Sequence, residues 1–209
     1  MTALDVRTSW DHLAAAQKDG AGVPFYMRVV NRRLGRGVAA LAHRVGATPD
    51  QVTAVSAGLV VAALLVLVAA PPALLPAVAV VVLLQAAFAF DAARTLAVHL
   101  VVAVALLRHT DLDPAWALLP LGYAFVASVR FFAQILAEQL VPDRGARAAA
   151  AGRWSSVVQL PADVGVQNLV FLLWPVTPLF LLGYGLLAAA NLLLMVMTLQ
   201  RRLRALRAL

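Results

Sequence analysis

The sequence predicts an all-α polytopic membrane protein, and three features of its 209 residues support this fold class. Apolar residues make up 63% of the chain and charged residues 13%, whereas soluble domains average about 45–50% and about 25%. Apolar runs of helical length, separated by short polar breaks, follow one another from residue 52 to residue 199. The chain has no cysteine, which excludes disulfides, a cysteine nucleophile and a thiolate metal site. The same hydrophobicity excludes intrinsic disorder.

The net charge of +7 comes from 17 basic residues, all but one of them Arg, against 10 acidic residues. The basic residues stand mainly between or beside apolar runs, where the positive-inside bias and anionic lipid headgroups account for them. We therefore expect anionic membrane lipids as partners and no nucleic acid. We expect an integral protein of a bacterial inner (plasma) membrane, since the high Ala, Val, Leu and Arg content is compatible with a GC-rich bacterial genome.

Residues 1–48 are predicted to form a cytoplasmic arm followed by an interfacial helix. Within 25–44 the apolar residues recur with helical period, while most of the arginines lie off that face. Such a basic amphipathic helix is expected to lie in the membrane interface, and packing on the cytoplasmic end of the bundle is the alternative. The apolar face comprises Met27, Val30, Leu34, Val38 and Leu41.

Residues 49–200 are predicted to be the transmembrane bundle, and 201–209 a basic cytoplasmic tail. Thr48 can cap the first span, with Pro49 at its first position and Asp50 in its first turn. Trp116, Trp154 and Trp174 are interpreted as interfacial anchors. The apolar segments are 52–70, 73–90, 95–107, 114–136, 164–182 and 183–199, with a break at 174–178.

Residues 73–107 are ambiguous, because no Gly, Pro, Asn or Ser stands between Pro76 and Thr110 to favour a turn. One continuous helix of 35 residues would be about 52 Å long, well beyond a hydrocarbon core of about 30 Å. It would give five spans and would place the C-terminal arginines outside. A turn near 91–94 gives six spans with both termini in the cytoplasm, and the charge distribution prefers six.

Several short stretches resemble the CDP-alcohol phosphotransferase family. They are Lys18-Asp19-Gly20, Asn31-Arg32-Arg33-Leu34, 48–53 (TPDQVT) and 81–91 (VVLLQAAFAFD). The family commonly has a lysine–acid–glycine start, a basic interfacial helix and Pro-Asn-x-x-Thr at the first span, where this chain has Asp50 in place of Asn. The resemblance implies six transmembrane helices, a homodimer, and transfer of a phosphoalcohol from a CDP-linked donor to a lipid or small-alcohol acceptor in phospholipid synthesis, with release of CMP.

The defining family motif, D-x-x-D-G-x-x-A-R-x8-G-x-x-x-D-x-x-x-D, is absent from this sequence. Only Asp91 remains, and it resembles the first aspartate of the motif as well as the last. The junction is therefore interpreted as an internal deletion, at the same place where the turn is missing.

The resemblance implies Mg²⁺ or Mn²⁺ as cofactor, held by several carboxylates that converge on the phosphates. Asp91 is the candidate catalytic and metal-binding residue, because an ionisable group inside a membrane is functional by default; an ion pair with Arg94 is the alternative. One carboxylate cannot hold two metal ions and also act as base, so little or no activity is expected. Candidate substrate-binding residues are Arg94, Arg130, Arg144, Arg147 and Arg153.

Two other functions are compatible with this sequence. A non-catalytic relative of the family would bind lipid or pair with an active relative. A small ion-coupled transporter would use Asp91, Arg94 and Arg130 as its ion path.

Overall fold

The computed structural model describes residues 24–87, 91–140 and 155–207, with side chains described within 24–87, 94–133 and 157–201. This part of the chain consists of helices and short connections and contains no β-strand. The predicted all-α class is therefore confirmed for the described residues. The predictions for Trp154 and for the arm before Pro24 lie outside them.

Seven main helices follow one another in the described chain. A π-helical turn, Met27–Asn31, leads into α1, and a 3-10 turn, Pro114–Ala117, leads into α5. Short helical turns at Ser155–Val158, Leu160–Ala162 and Val170–Leu173 flank α6. The helices are α1 (Arg32–Arg44), α2 (Pro49–Ala69), α3 (Leu74–Ala86), α4 (Asp91–His109), α5 (Leu118–Leu140), α6 (Val164–Leu169) and α7 (Thr177–Arg207).

The break between α1 and α2 has the predicted cap chemistry. Gly46 ends α1 with a φ of 72°, a conformation that glycine adopts without steric cost. Thr48 then caps α2: its hydroxyl accepts from the Gln51 N–H at 3.3 Å, and the Gln51 side chain accepts from the Thr48 N–H at 2.9 Å. Pro49 occupies the first turn, as expected.

The chain reverses direction between α3 and α4, so 73–107 is not one continuous helix. His109, the last residue of α4, lies with its Nε2 2.7 Å from the carbonyl oxygen of Val68 near the end of α2. The ends of α2 and α4 are therefore at the same end of the bundle, where α3 begins. Helix α4 also starts at Asp91, before the apolar run at 95–107, which gives it 19 residues and a length of about 28 Å.

The predicted break at 174–178 is present, but the helices divide differently from the apolar segments. The first part ends at Leu173, and α7 starts at Thr177 instead of residue 183. Helix α7 runs for 31 residues to Arg207, so most of the basic tail continues the helix.

The prediction that Trp174 is an anchor in the membrane interface is wrong. Its side chain is 1% exposed and packs edge-to-face on Phe180, with ring centroids 4.8 Å apart. The broken connection before α7 turns the indole inward, into the core between α3, α4 and α7. Trp116, in contrast, is 46% exposed, and its place in the membrane interface stays a prediction.

Three helical segments of the described chain are long and apolar enough to cross a membrane: Pro49–Ala69, Pro114–Ala133 and Thr177–Arg201. Two shorter apolar segments, Leu74–Ala86 and Val164–Leu173, pack beside them. The helices carry many large apolar side chains that face outward, including Leu65, Phe125 and Leu186 at more than 60% exposure. The chain is therefore a membrane protein.

Candidate functional site

Arg94 is a buried cation that closes the C-terminal end of α3. Its side chain is 5% exposed, and its Nη1 donates to the carbonyl oxygens of Leu84 at 2.8 Å and Ala87 at 2.9 Å. Carbonyl groups in the last turn of a helix lack helical partners and carry the negative end of the helix dipole. The Arg94 guanidinium donates hydrogen bonds to these carbonyl groups, and its positive charge interacts favourably with the helix dipole. The predicted ion pair with Asp91 lies outside the described side chains.

One turn further along α4, His99 joins two neighbouring helices. Its ring stacks on Tyr123 of α5 with centroids 4.2 Å apart, and its Nδ1 is hydrogen-bonded to the Tyr184 hydroxyl of α7. The two tyrosine rings meet edge-to-face at 5.3 Å. All three side chains are buried, so they form a rigid polar layer inside the apolar core.

A small cavity of about 20 Å³ lies between Arg94 and this aromatic layer. Gln167 and Asn168 also line it. The volume accommodates about one water molecule, far less than a nucleotide needs. The Nε2 of His99 is buried without a hydrogen-bond partner among the described residues, and a water molecule in the cavity is the partner that the site can supply.

Arg130 lies in a second cluster, where α5 meets α7. Its Nη1 donates to Asn191 Oδ1 at 2.6 Å, and no acidic side chain among the described residues pairs with it. The Asn191 Nδ2 in turn donates to the carbonyl oxygen of Pro161 at 2.7 Å and to the Tyr123 hydroxyl at 2.9 Å. This cluster therefore fixes the segment before α6 against α5 and α7.

A third group of contacts ties the N-terminal segment to the end of α3. Gln85 Nε2 donates to the Tyr26 hydroxyl at 2.7 Å, and the Asn168 Nδ2 donates to Gln85 Oε1 at 3.3 Å. Asp163, 1% exposed, accepts from the Met27 N–H at 2.5 Å and from the Gly165 N–H at 2.9 Å. The three groups adjoin one another, because Tyr123 belongs to the first two and Asn168, which contacts Gln85, lines the cavity beside Arg94.

The structure describes the side chains of two of the predicted site residues, Arg94 and Arg130, and it does not bring these two together. Arg94 and Arg130 belong to different clusters, and Arg130 does not line the cavity beside Arg94. Asp91 is the first residue of α4, and its side chain lies outside the described ones. The remaining candidates, Arg144, Arg147 and Arg153, also lie outside the described residues.

Sequence reasoning missed His99 as a partner of tyrosines, and it missed Asp163. Isolated polar residues inside apolar runs, such as Gln85 and Asn191, were the available signal, because a polar group inside a membrane needs a partner. Asp163 directly precedes an apolar run, which is the pattern of a helix N-cap. Neither pattern tells which distant group the side chain will meet.

Chemically, the described site combines cationic and neutral side chains with one buried carboxylate, Asp163. Arginine, histidine, tyrosine and amide groups converge there, and no group of three metal-ligating side chains is found among the described residues. Such groups suit anions and water better than divalent cations. No protein-family model, curated protein or solved structure matches this chain. Its family is therefore a matter of proposal, resting on the residues quoted above.

Proposed function

We propose that this chain is an integral membrane protein of the CDP-alcohol phosphotransferase type that does not catalyse the transfer itself. The stretches from Lys18 to Asp91 that resemble the family support the type. The burial of Arg94 against the end of α3 is the observation that supports the absence of catalysis.

In the family, the stretch that residues 81–91 resemble is the approach to the metal-binding motif. In this chain Arg94 stands three residues after Asp91. Its buried guanidinium already donates hydrogen bonds to the carbonyl oxygens of Leu84 and Ala87. A divalent cation needs about six oxygen ligands, and a neighbouring fixed positive charge opposes its binding. The residues present therefore do not fit Mg²⁺ or Mn²⁺.

The proposed membrane topology has six crossing segments with both termini in the cytoplasm. Five would be α2, α3, α4, α5 and α7, and the sixth would be the broken segment Ser155–Leu173. The reversal between α3 and α4 supports this count, because with it the starts of α2 and α4 and the basic end of α7 would all lie on the cytoplasmic side. That arrangement agrees with the positive-inside bias.

Helix α1 is proposed to lie in the cytoplasmic membrane interface. Leu34, Val38 and Leu41 are 46–57% exposed on its apolar face, so the protein itself does not cover them. Arg33 and Arg44 are also exposed and can meet anionic headgroups. This observation favours lipid over the bundle as the partner of that face.

Without transfer chemistry, the proposed role is to bind phosphate-bearing lipid or to pair with an active relative as a dimer partner. Its many arginines match phosphate geometry, and family members are commonly dimers. Ion-coupled transport is the weaker proposal, because the cavity beside Arg94 accommodates about one water molecule and Arg130 lies outside it.

The deciding experiment measures CMP release. The purified protein in lipid nanodiscs is incubated with CDP-diacylglycerol, a hydroxyl acceptor such as glycerol 3-phosphate, serine or inositol phosphate, and Mg²⁺ or Mn²⁺. We expect no CMP above the level of empty nanodiscs, for the protein and for Asp91→Asn alike. Metal-dependent release that Asp91→Asn abolishes would refute the proposal.

The intact mass of the same preparation is the necessary control. A mass of 22.1 kDa means that the assayed chain has these 209 residues and no inserted segment. A heavier chain with additional peptides between Phe90 and Thr95 would restore the motif, and the enzyme function would then become the favoured proposal.

A further inference from the structure

A large groove lies at the end of the bundle opposite Asp163. Its volume is about 890 Å³, and it shares no lining residue with the small cavity beside Arg94. One wall is the first part of α7, from Thr177 to Leu186, and the other is the start of the α5 segment at Trp116 and Leu119. Its end is formed by the connection after α4, His109 to Leu112.

The dimensions of the groove match one lipid chain in one leaflet. Thr177 and Leu186 are nine residues apart on α7, which corresponds to about 14 Å along the helix. Half of a hydrocarbon core is about 15 Å thick. The side chains of Leu182 and Leu186 on the groove wall are 60% and 64% exposed. The groove therefore opens toward the lipid phase. An acyl chain is what a bilayer offers to such an opening.

The end of the groove carries one carboxylate. Asp111 is exposed, it is the one carboxylate among the described residues that line the groove, and no ion-pair partner is found for it there. His109 is engaged with the Val68 carbonyl, and the Thr110 hydroxyl donates to the Leu106 carbonyl at 2.6 Å. A headgroup that bears an amine complements this end, whereas an anionic headgroup would meet like charge.

The geometry points to a binding site for one zwitterionic phospholipid with a primary amine in its headgroup, such as phosphatidylethanolamine. One acyl chain lies along α7 between Leu119 and Gly185, and the ammonium group pairs with the Asp111 carboxylate. This site is independent of the proposed function, since it requires only that the protein is embedded in a membrane.

The test uses nanodiscs that contain a photoreactive phosphatidylethanolamine with a diazirine in its acyl chain, compared with phosphatidylglycerol carrying the same chain. Cross-linked peptides are mapped by mass spectrometry. We expect phosphatidylethanolamine to label the 177–186 segment, and phosphatidylglycerol to label it about two- to fivefold less, the range of a solvent-accessible ion pair. Asp111→Asn should remove that preference while labelling persists.

Gly185→Leu should abolish labelling of the segment by both lipids. A Cβ at Gly185 would meet Leu119 Cδ2 at 3.9 Å, an ordinary contact, so the added side chain fills the groove without displacing the backbone. Gly122→Leu is the matched control, because Gly122 lies on α5 with nothing within 4 Å of its Cβ position. Asp113→Asn is the charge control, since asparagine keeps the cap on the Ala115 N–H.

Thermal unfolding of every variant shows whether the fold is retained, and Asp111→Asn tests the site even if Gly185→Leu does not fold. The site is refuted if Gly185→Leu folds and is still labelled, or if Gly122→Leu loses labelling equally. It is also refuted if phosphatidylglycerol labels the segment as strongly as phosphatidylethanolamine, or if cross-links join two copies of the protein there instead.

Discussion

The backbone N–H of Met27 donates to the carboxylate of Asp163 at 2.5 Å, although 136 positions separate the two residues in the sequence. The same carboxylate caps α6 through the Gly165 N–H. One buried side chain thus fixes the start of a helix and also fastens the segment that leads into α1. The neighbouring contact between Gln85 and Tyr26 secures the same segment.

Replacing this carboxylate should loosen both elements. Asp163→Ala leaves the buried Gly165 N–H and the partly buried Met27 N–H without their acceptor, and we expect it to lower the free energy of unfolding by about 2–3 kcal/mol. SDS-induced unfolding of the purified protein measures the loss. The Met27 and Gly165 N–H groups bond different oxygens of this carboxylate, so Asp163→Asn keeps an acceptor for only one of them and should lose less than Asp163→Ala. An unchanged free energy of unfolding in Asp163→Asn would contradict the double contact.

Gly165 provides a second test of the same contact. A Cβ at this position would overlap the Tyr26 ring and would lie 3.2 Å from Asn31 Nδ2. Gly165→Ala should therefore displace the N-terminal segment and destabilise the protein by about 1–3 kcal/mol. Thermal unfolding compares it with Gly58→Ala, where nothing lies within 4 Å and a small stabilisation is expected.

The overlap with Tyr26 can be confirmed by a double variant. If the ring is the obstacle, Gly165→Ala in a Tyr26→Ala background should cost less than it does alone. Equal costs in both backgrounds would show that the glycine is needed for another reason.

Arg94 should be required for folding, whatever its role in binding. Arg94→Leu removes the donor to two carbonyl groups at the end of α3, and we expect a loss of about 2–4 kcal/mol in the free energy of unfolding. Arg108→Leu, an exposed arginine near the end of the same helix, should change it by less than about 0.5 kcal/mol. Similar losses in both variants would contradict the capping role.

The hydrogen bond between His99 and Tyr184 should be measurable as a coupling energy. In a double-mutant cycle with His99→Phe and Tyr184→Phe, we expect about 0.6–1 kcal/mol of coupling, typical of buried hydrogen bonds in membrane helices. SDS-induced unfolding of the four proteins provides the values. Additive losses would indicate that the two rings only pack together.

The absence of cysteine makes the six-span topology directly testable. Asp113→Cys in the connection before α5 should react with a membrane-impermeant maleimide added outside intact cells. With five spans the same position would be cytoplasmic and unreactive. Asp50→Cys, cytoplasmic in either topology, should react only after the membrane is opened and serves as the control.

The local features of this fold could be predicted because each depends on neighbouring residues. The Thr48–Gln51 cap, the end of α2 before Pro71 and the break near Pro175 all have a chemical cause within a few positions. The reversal between α3 and α4 could be inferred from charge distribution but not from turn chemistry. Ala87 leaves the helix there without any residue that favours a turn, and the Arg94 side chain satisfies the freed carbonyl groups.

The site was less predictable, because partners in a membrane protein are chosen by geometry. The sequence showed that Arg94, Arg130 and Asn191 are polar groups in apolar surroundings, and it required each to find a partner. It could not show that Arg130 meets Asn191, 61 positions away, while Arg94 meets carbonyl groups of α3. A one-residue change in helix rotation moves a side chain by about 100° and alters every such pairing.

The sequence by itself determined that this protein is helical and membrane-embedded, since composition and apolar run length depend only on the residues present. Tertiary structure decided which polar groups meet: His99 with Tyr184, Asp163 with Met27, and Trp174 with the core instead of the interface. The physical reason is that hydrophobicity is summed along the chain, whereas hydrogen bonds and packing depend on the distances and directions between helices.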